Sequence, residues 1–250
     1  MAALLQEIET FYDAVPRPRA DAHEQGPFTL FVARTGWQYY ARPSLGATEM
    51  TEADVRAVVA LARRLDVPVS LEWVHETTPA LADAARAAGL SVRSMPLLVL
   101  DGPVAAVADA GVDVELLEAG DPRFGDVRAA VHAGFSGSDD KEPEPVAAYI
   151  LDHVQDGLMR VAGAFTSDGS AVGGGSSQTR GHVCELTGIA TLPSWRRHGI
   201  GALLTRALAE DATSAGATTV LLSAGDDAVA RVYERVGFRR VATACLGEPS

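Results

Sequence analysis

The chain has 250 residues, of which 47% are apolar, 6% aromatic and 22% charged; 33 acidic residues against 21 basic ones give a formal charge of −12. That apolar content suffices for one large core or two ordinary ones and excludes disorder along the whole chain. The acidic balance disfavours nucleic-acid backbones and anionic lipid as partners, and leaves cationic substrates and local anion pockets open.

In chain order, residues 2–14 read as a helix ended by Pro16 and Pro18, and residues 28–33 and 37–41 as strands joined by a turn at Thr35 and Gly36. Thr51, with Asp54 three residues on, is a capping signal for a helix in which Val55, Val58, Val59, Ala62 and Leu65 recur at helical spacing. A strand over 70–74, a helix over 79–88 with Gly89 just past its end, and a strand over 95–100 follow. The small-residue run DGPVAAVADAG then reads as a linker. Beyond it come a strand over 112–117, a helix over 122–135, the aperiodic loop SGSDDKEPEP, a helix over 146–153, and strands over 159–165, 171–178 and 183–191. The chain closes with a helix over 200–213, a strand over 218–223, a helix over 227–236 and a strand over 241–246. Strands alternating with helices of this length imply a layered α/β fold.

Laying Gly89 on Gly237 exposes an internal repeat at an offset of 148 residues: AARAAGL falls on VYERVGF and SLEWV on TTVLL. The two halves read as relatives of one fold. No apolar run reaches the roughly 18 to 20 residues that cross a bilayer, and the opening segment lacks a basic leader. A cytoplasmic protein with no membrane or nucleic-acid partner is expected. Cys184 and Cys245 lie in apolar stretches without CxxC spacing and read as small buried hydrophobes, so no metal is expected.

The chemistry concentrates in Leu186 to Leu208, LTGIATLPSWRRHGIGALLTRAL, where a strand meets a glycine-bearing turn that opens an amphipathic helix. Ile200, Leu203, Leu204, Ala207 and Leu208 supply the apolar stripe. Gly199 and Gly201 remove Cβ atoms where a ligand would press on the main chain, and the helix start favours an anion. Arg196 and Arg197 add positive charge there. A dinucleotide fingerprint is excluded because GxGxxG is absent.

This run resembles the acyl-CoA-binding signature of the GCN5-related N-acetyltransferases (GNAT family), Arg/Gln-x-x-Gly-x-Gly/Ala, on Arg196, Gly199 and Gly201. The preceding strand, the following helix, TTVLLSA and DDAVARVYERVGFRRV keep the family's order and spacing, so the resemblance covers residues 112–246. It implies that backbone N–H groups of Arg197, His198, Gly199, Ile200, Gly201 and Ala202 cradle the pyrophosphate of acetyl-CoA. It further implies that Ile189, Ala190 and Thr191 pair with the pantetheine arm, that Tyr233 protonates the departing thiolate and that Glu185 is a candidate base. An alkylamine is only about one part in a thousand neutral at pH 7, whereas a tyrosine of pKa about 10 still carries its proton there, so a base or water relay and an acid are both useful. His132 and His182 are weaker candidates that read as polar surface. Gly173 to Gly175 reads as a bulge, a close ligand approach or a flexible edge.

Asp226 stands where the family often places Asn at the start of the last helix, and still caps it. In the first half, Ala85 replaces Tyr233, and TEMTEA, with no glycine, no arginine and two glutamates, replaces RRHGIG. The expectation is therefore a GNAT-like mixed central sheet flanked by helices, in two tandem domains. Residues 1–103 form a degenerate copy without a cofactor motif, 104–111 the linker and 112–250 an acetyl-CoA-dependent N-acetyltransferase. Its partner would be a small-molecule or peptide amine, with homodimerisation open. The rival readings are a non-catalytic acyl-CoA sensor or interaction module and, against the charge of −12, an aminoacyl-transferring enzyme.

Overall fold

The computed structural model describes residues 1–36, 38–142 and 145–249. Trp37, at the start of an expected strand, and Pro143 and Glu144, in the expected acidic loop, lie outside the described residues. The chain divides into two compact units, Met1–Leu97 with Arg240–Ser250, and Leu98–Arg239.

The first unit opens with α1 (Ala2–Ala14), followed by β1 (Ala20–Gln25), β2 (Phe28–Ala33), β3 (Ala41–Pro43), α2 (Glu52–Arg64), β4 (Leu71–Val74), α3 (Leu81–Ala87) and β5 (Leu90–Leu100), whose last residues enter the second unit. β1 escapes the sequence reading because ADAHEQ buries only Ala20, its other residues being polar side chains and the exposed Ala22. It pairs antiparallel with β2, closing on Gln25 and Phe28 across Gly26 and Pro27. The strand expected over 37–41 forms instead at Ala41–Pro43, where Ala41 meets Leu71 of β4 in parallel register. Tyr39 and Tyr40 before it pack on Phe31 and Ala20. β5 begins five residues earlier than expected, its exposed SVRSM stretch hiding the strand from a hydrophobicity reading.

The second unit carries β6 (Asp113–Leu117), α4 (Phe124–Ser136), α5 (Ala148–Gln155), β7 (Met159–Phe165), β8 (Ala171–Arg180), β9 (Val183–Thr191), a 3-10 turn at Pro193–Trp195, α6 (Ile200–Ser214), β10 (Thr219–Ser223), α7 (Asp227–Glu234) and β11 (Phe238–Pro249), whose last part belongs to the first unit. Strands β6, β7, β8 and β9 run antiparallel in sequence order, and β10 joins β9 in parallel. Helices α4 and α6 cover the sheet with Val127, Ala130, Ile200, Leu204 and Leu208, all essentially buried. The buried face of α6 is rotated from the expected stripe: Ala202, Thr205 and Ala209 are buried, while Leu203 and Ala207 are only partly so. Thr205 is tolerated there because its hydroxyl donates to the Gly201 carbonyl at 2.7 Å.

The repeat is visible element by element. α2 and α6 begin 148 residues apart, as do β4 and β10, and β5 and β11. The division into units nevertheless differs from a split at residues 103 and 112. Ala244 to Gly247 of β11 pair antiparallel with Val74 to Leu71 of β4, and Cys245 enters the first unit's core beside Leu71 and Trp73. Leu98, conversely, belongs to the second unit's core. Both cysteines are free and buried, and burial pushes both thiols up.

The triple glycine sits in β8, between β7 and β9, so it is no edge. A Cβ at Gly174 would fall 2.5 Å from Val127 of α4, and one at Gly175 would fall 2.8 Å from Ile189. The register slips here as well: Gly174 faces Ala190 while Ser176 faces Thr187, so Gly188, at φ +63°, and Ile189 stand together against Gly175, a bulge with one extra residue in β9.

Candidate active site

The bulge matters because it lies in the stretch of β9 that has parted from β10. β9 pairs with β10 only from Val183 to Glu185. From Leu186 onward its main chain has no strand partner on that side among the described residues, although it stays paired to β8 through Thr191. An opened strand edge offers a row of N–H and C=O groups to a peptide-like ligand.

After β9 the chain turns tightly through Pro193–Trp195 and then through two left-handed residues, Arg197 at φ +66° and Gly199 at φ +91°, before α6 starts. Arg197 is one of two non-glycine residues with positive φ among those described, a conformation that costs an L-residue about 1–2 kcal/mol. Gly199 is the N-cap of α6 and supplies no side chain to its open N–H groups. The N–H groups of Arg197, His198, Gly199, Ile200 and Gly201 make no hydrogen bond among the described residues. Five consecutive unbonded donors thus stand at the positive end of a 15-residue helix with no acid in its first turn. Ala202 does not belong with them: its N–H bonds the Gly199 carbonyl at 3.0 Å, so the expected cradle is one donor shorter.

The counterpart helix in the first unit shows the opposite arrangement. Thr51 and Asp54 cap α2 reciprocally, the Thr51 hydroxyl accepting from the Asp54 N–H and the Asp54 carboxylate accepting from the Thr51 N–H at 2.9 Å. The Thr51 hydroxyl also donates to the Asp54 carboxylate at 2.6 Å, and this bond, with that from the Thr51 N–H, holds the Asp54 carboxyl below the usual carboxylate range; Glu52 adds a second acid to the first turn. An anion is therefore repelled at α2 and welcomed at α6.

Arg196 has a task that the sequence does not disclose. Its guanidinium donates to the Gly134 carbonyl at 2.6 Å and to the Thr191 carbonyl at 3.4 Å, tying the end of β9 to the last turn of α4. Gly134 permits this approach, since a Cβ there would lie 3.0 Å from the Thr191 carbonyl oxygen. Asp139 accepts from the Ser194 N–H and hydroxyl at 3.0 and 2.9 Å, steadying the turn from its other side.

A cleft of about 930 Å³ collects these pieces. Its walls include Ile189 through Thr191 and Arg196 through Ala202, so all ten residues expected to bind a cofactor lie along it, together with Tyr233. Its charged side chains are the cations Arg196, Arg197 and Arg235, with no carboxylate among its lining residues. Arg235, the half-exposed Trp195 and the exposed Phe135 are lining residues missed by the sequence reading, as are Ala106 to Ala108 of the expected linker. Only proximity in the fold, and no local pattern, would have found them.

Tyr233 stands on α7, whose N-terminus Asp226 caps by accepting from the Val229 N–H at 2.8 Å. The ring is 7% exposed and lies 6.5 Å from that of Phe238. Burial pushes its pKa up to about 12. The phenol therefore keeps its proton throughout the neutral range and its hydroxyl bonds no described residue, which suits a donor. Glu185 is not among the lining residues. It is half-buried and is the last residue of β9 to pair with β10, opposite Leu221, at the vertex where the strands part. By alternation along the strand, Glu185 shares with Thr187, Ser176 and Gln178 the sheet face toward α4. His132 and His182 are exposed and lie outside the cleft.

No described helix is long and apolar enough to cross a membrane. Among the described residues, no cluster of three or more His, Cys, Asp or Glu could hold a metal.

Comparison with known proteins agrees with this architecture. The acetyltransferase (GNAT) family model matches residues 128–238. A search of curated proteins finds no match. Among solved structures, a GCN5-related N-acetyltransferase from Kribbella flavida is 25% identical with a TM-score of 0.75, covering 98% of this chain and 96% of its own. A GCN5-related N-acetyltransferase-like protein from Streptococcus suis is 12% identical (TM-score 0.58, 99% of each chain). A tandem GNAT protein from the clavulanic acid biosynthesis pathway is 17% identical (TM-score 0.54, 88% of this chain and 82% of that one). The first of these likenesses spans both units, so the chain is built from two GNAT-like folds, and the second unit carries a domain of the GNAT acetyltransferase family at residues 128–238.

Proposed function

We propose that the second unit is an acetyl-CoA-dependent N-acetyltransferase acting on a small-molecule or peptide amine, and that the first unit is a copy without a cofactor site. The observation that carries this reading is the run of five unbonded N–H groups, Arg197 to Gly201, in a cationic cleft that also holds Tyr233. These donors fit a diphosphate, and the unpaired edge of β9 from Leu186 to Thr191 fits the two amides of a pantetheine arm. Bound there, acetyl-CoA would supply the acetyl thioester.

The remaining chemistry falls to the chain. Unbonded N–H groups of β9 polarise the thioester carbonyl as charge develops on its oxygen. Glu185, working through water from the vertex of the parted strands, takes the proton that the amine loses as the C–N bond forms. Tyr233 gives its proton to sulfur as the C–S bond breaks, and the proton lost by the amine balances it. Direct transfer of this kind needs neither a covalent enzyme intermediate nor a metal. The absence of carboxylates from the cleft lining leaves the choice of amine to residues outside it. We place the protein in the cytoplasm as a working assignment.

A panel of primary amines with acetyl-CoA, read by release of free thiol, tests the reading. Turnover that falls at least tenfold in Tyr233→Phe supports it. Tight acetyl-CoA binding with no thiol release from any amine favours a sensor instead.

A further inference from the structure

The segment Val104–Gly111 reads as a linker, yet it is packed against the cleft. At one end the Ala105 N–H donates to the Val236 carbonyl at 2.9 Å, just past α7. Gly237 makes that approach possible: its φ is +111°, and a Cβ on it would lie 3.4 Å from the Pro103 carbonyl oxygen. At the other end Ala110 is the nearest neighbour of Gly199, 4.0 Å from where a Cβ on that glycine would stand. Between these anchors Ala106, Val107 and Ala108 line the cleft, with Val107 half-buried against the second unit's core and its alanine neighbours exposed. Five residues at about 3.3 Å each span at most some 16 Å. The strap therefore bridges the end of α7 and the turn before α6.

Its composition suits a wall against a ligand. Residues 104–110 are VAAVADA, with one charge, Asp109, and that carboxylate is turned back on the Gly111 N–H at 2.8 Å. The N–H groups of Ala106 through Ala110 bond nothing among the described residues, so the strap brings a second row of free peptide donors to the cleft.

We propose that Val104–Ala110 is a wall of the acyl-CoA site, holding the pantetheine–diphosphate stretch of the ligand through Val107 and its own peptide groups. The inference rests on the acyl-CoA reading of the cleft. Its consequence is that the chain entering the second unit becomes ordered by the ligand bound in that unit.

Hydrogen exchange on the full chain, with and without saturating CoA, separates the two ideas. Protection gained both at 197–201 and at 104–110 is expected. Protection at 197–201 alone overturns the strap while keeping the site. No protection at either place overturns the site and the strap with it. Ala108→Asp supplies an independent arm, since position 108 is exposed and tolerates a carboxylate. Calorimetric titration with CoA should show about tenfold weaker binding in this variant at an unchanged melting temperature; an unchanged affinity overturns the strap's role.

Discussion

Replacing Gly199 separates backbone strain from anion binding. At φ +91° the only atom within reach of a new Cβ is that of Ala110, at 4.0 Å, so the substitution introduces no collision. Gly199→Ala therefore bears only the left-handed backbone penalty of about 1–2 kcal/mol, and for a unit of this size that lowers the melting temperature by roughly 2–8 °C. Gly199→Asp bears the same penalty and adds a carboxylate among the five open N–H groups. At about 5 Å and an effective dielectric of about 20, one unit charge repels another by about 3 kcal/mol, and a diphosphate brings at least one. CoA affinity should thus fall at least a hundredfold further in the aspartate variant than in the alanine variant, while both melt at similar temperatures. Calorimetric titration beside a thermal melt reads both quantities. Equal CoA affinity in the two variants would refute the assignment of the diphosphate to this turn.

Tyr233→Phe keeps the ring contact with Phe238 and removes only the hydroxyl, so kcat should fall by about 10²–10⁴ with KM for acetyl-CoA and the melting temperature nearly unchanged. Because the folded-state pKa of Tyr233 is raised from about 10 to about 12, its contribution is complete below pH 10 and is lost as pH climbs toward 12. Wild-type stability should therefore drop there by about 2–3 kcal/mol more than that of the phenylalanine variant in denaturant titrations. Gly174→Ala puts a Cβ 2.5 Å from Val127 and 2.9 Å from the Ala162 carbonyl oxygen, and chemical denaturation should show a loss of about 1–3 kcal/mol. Removing residues 240–250 takes away the partner of β4 together with Cys245, so amide exchange in Leu71–Val74 should accelerate while β8 stays protected.

What the sequence discloses follows from how local each signal is. The bounds of β7 and β9, the start of α6 and the capping of α2 are written in neighbouring residues, and the structure places them where periodicity and cap chemistry put them. β1 is invisible because a strand with one buried residue leaves no hydrophobic alternation to read. Arg196 illustrates the limit within the site. Its motif position is legible, but its bond to Gly134, 62 residues away, is a property of the packed sheet and helix. The cleft walls supplied by Ala106 to Ala108, Phe135 and Arg235 are equally non-local, since none of them stands in the motif that announces the site.

The borrowed last strand also sets an order of assembly. Domains made on the ribosome ordinarily fold as they emerge, N-terminal first. Here the first unit waits for residues 240–250 to complete its sheet, whereas the second has all of its own residues by Arg239. The later-made unit can therefore fold first, and the earlier one must pass through synthesis with the β4 edge bare.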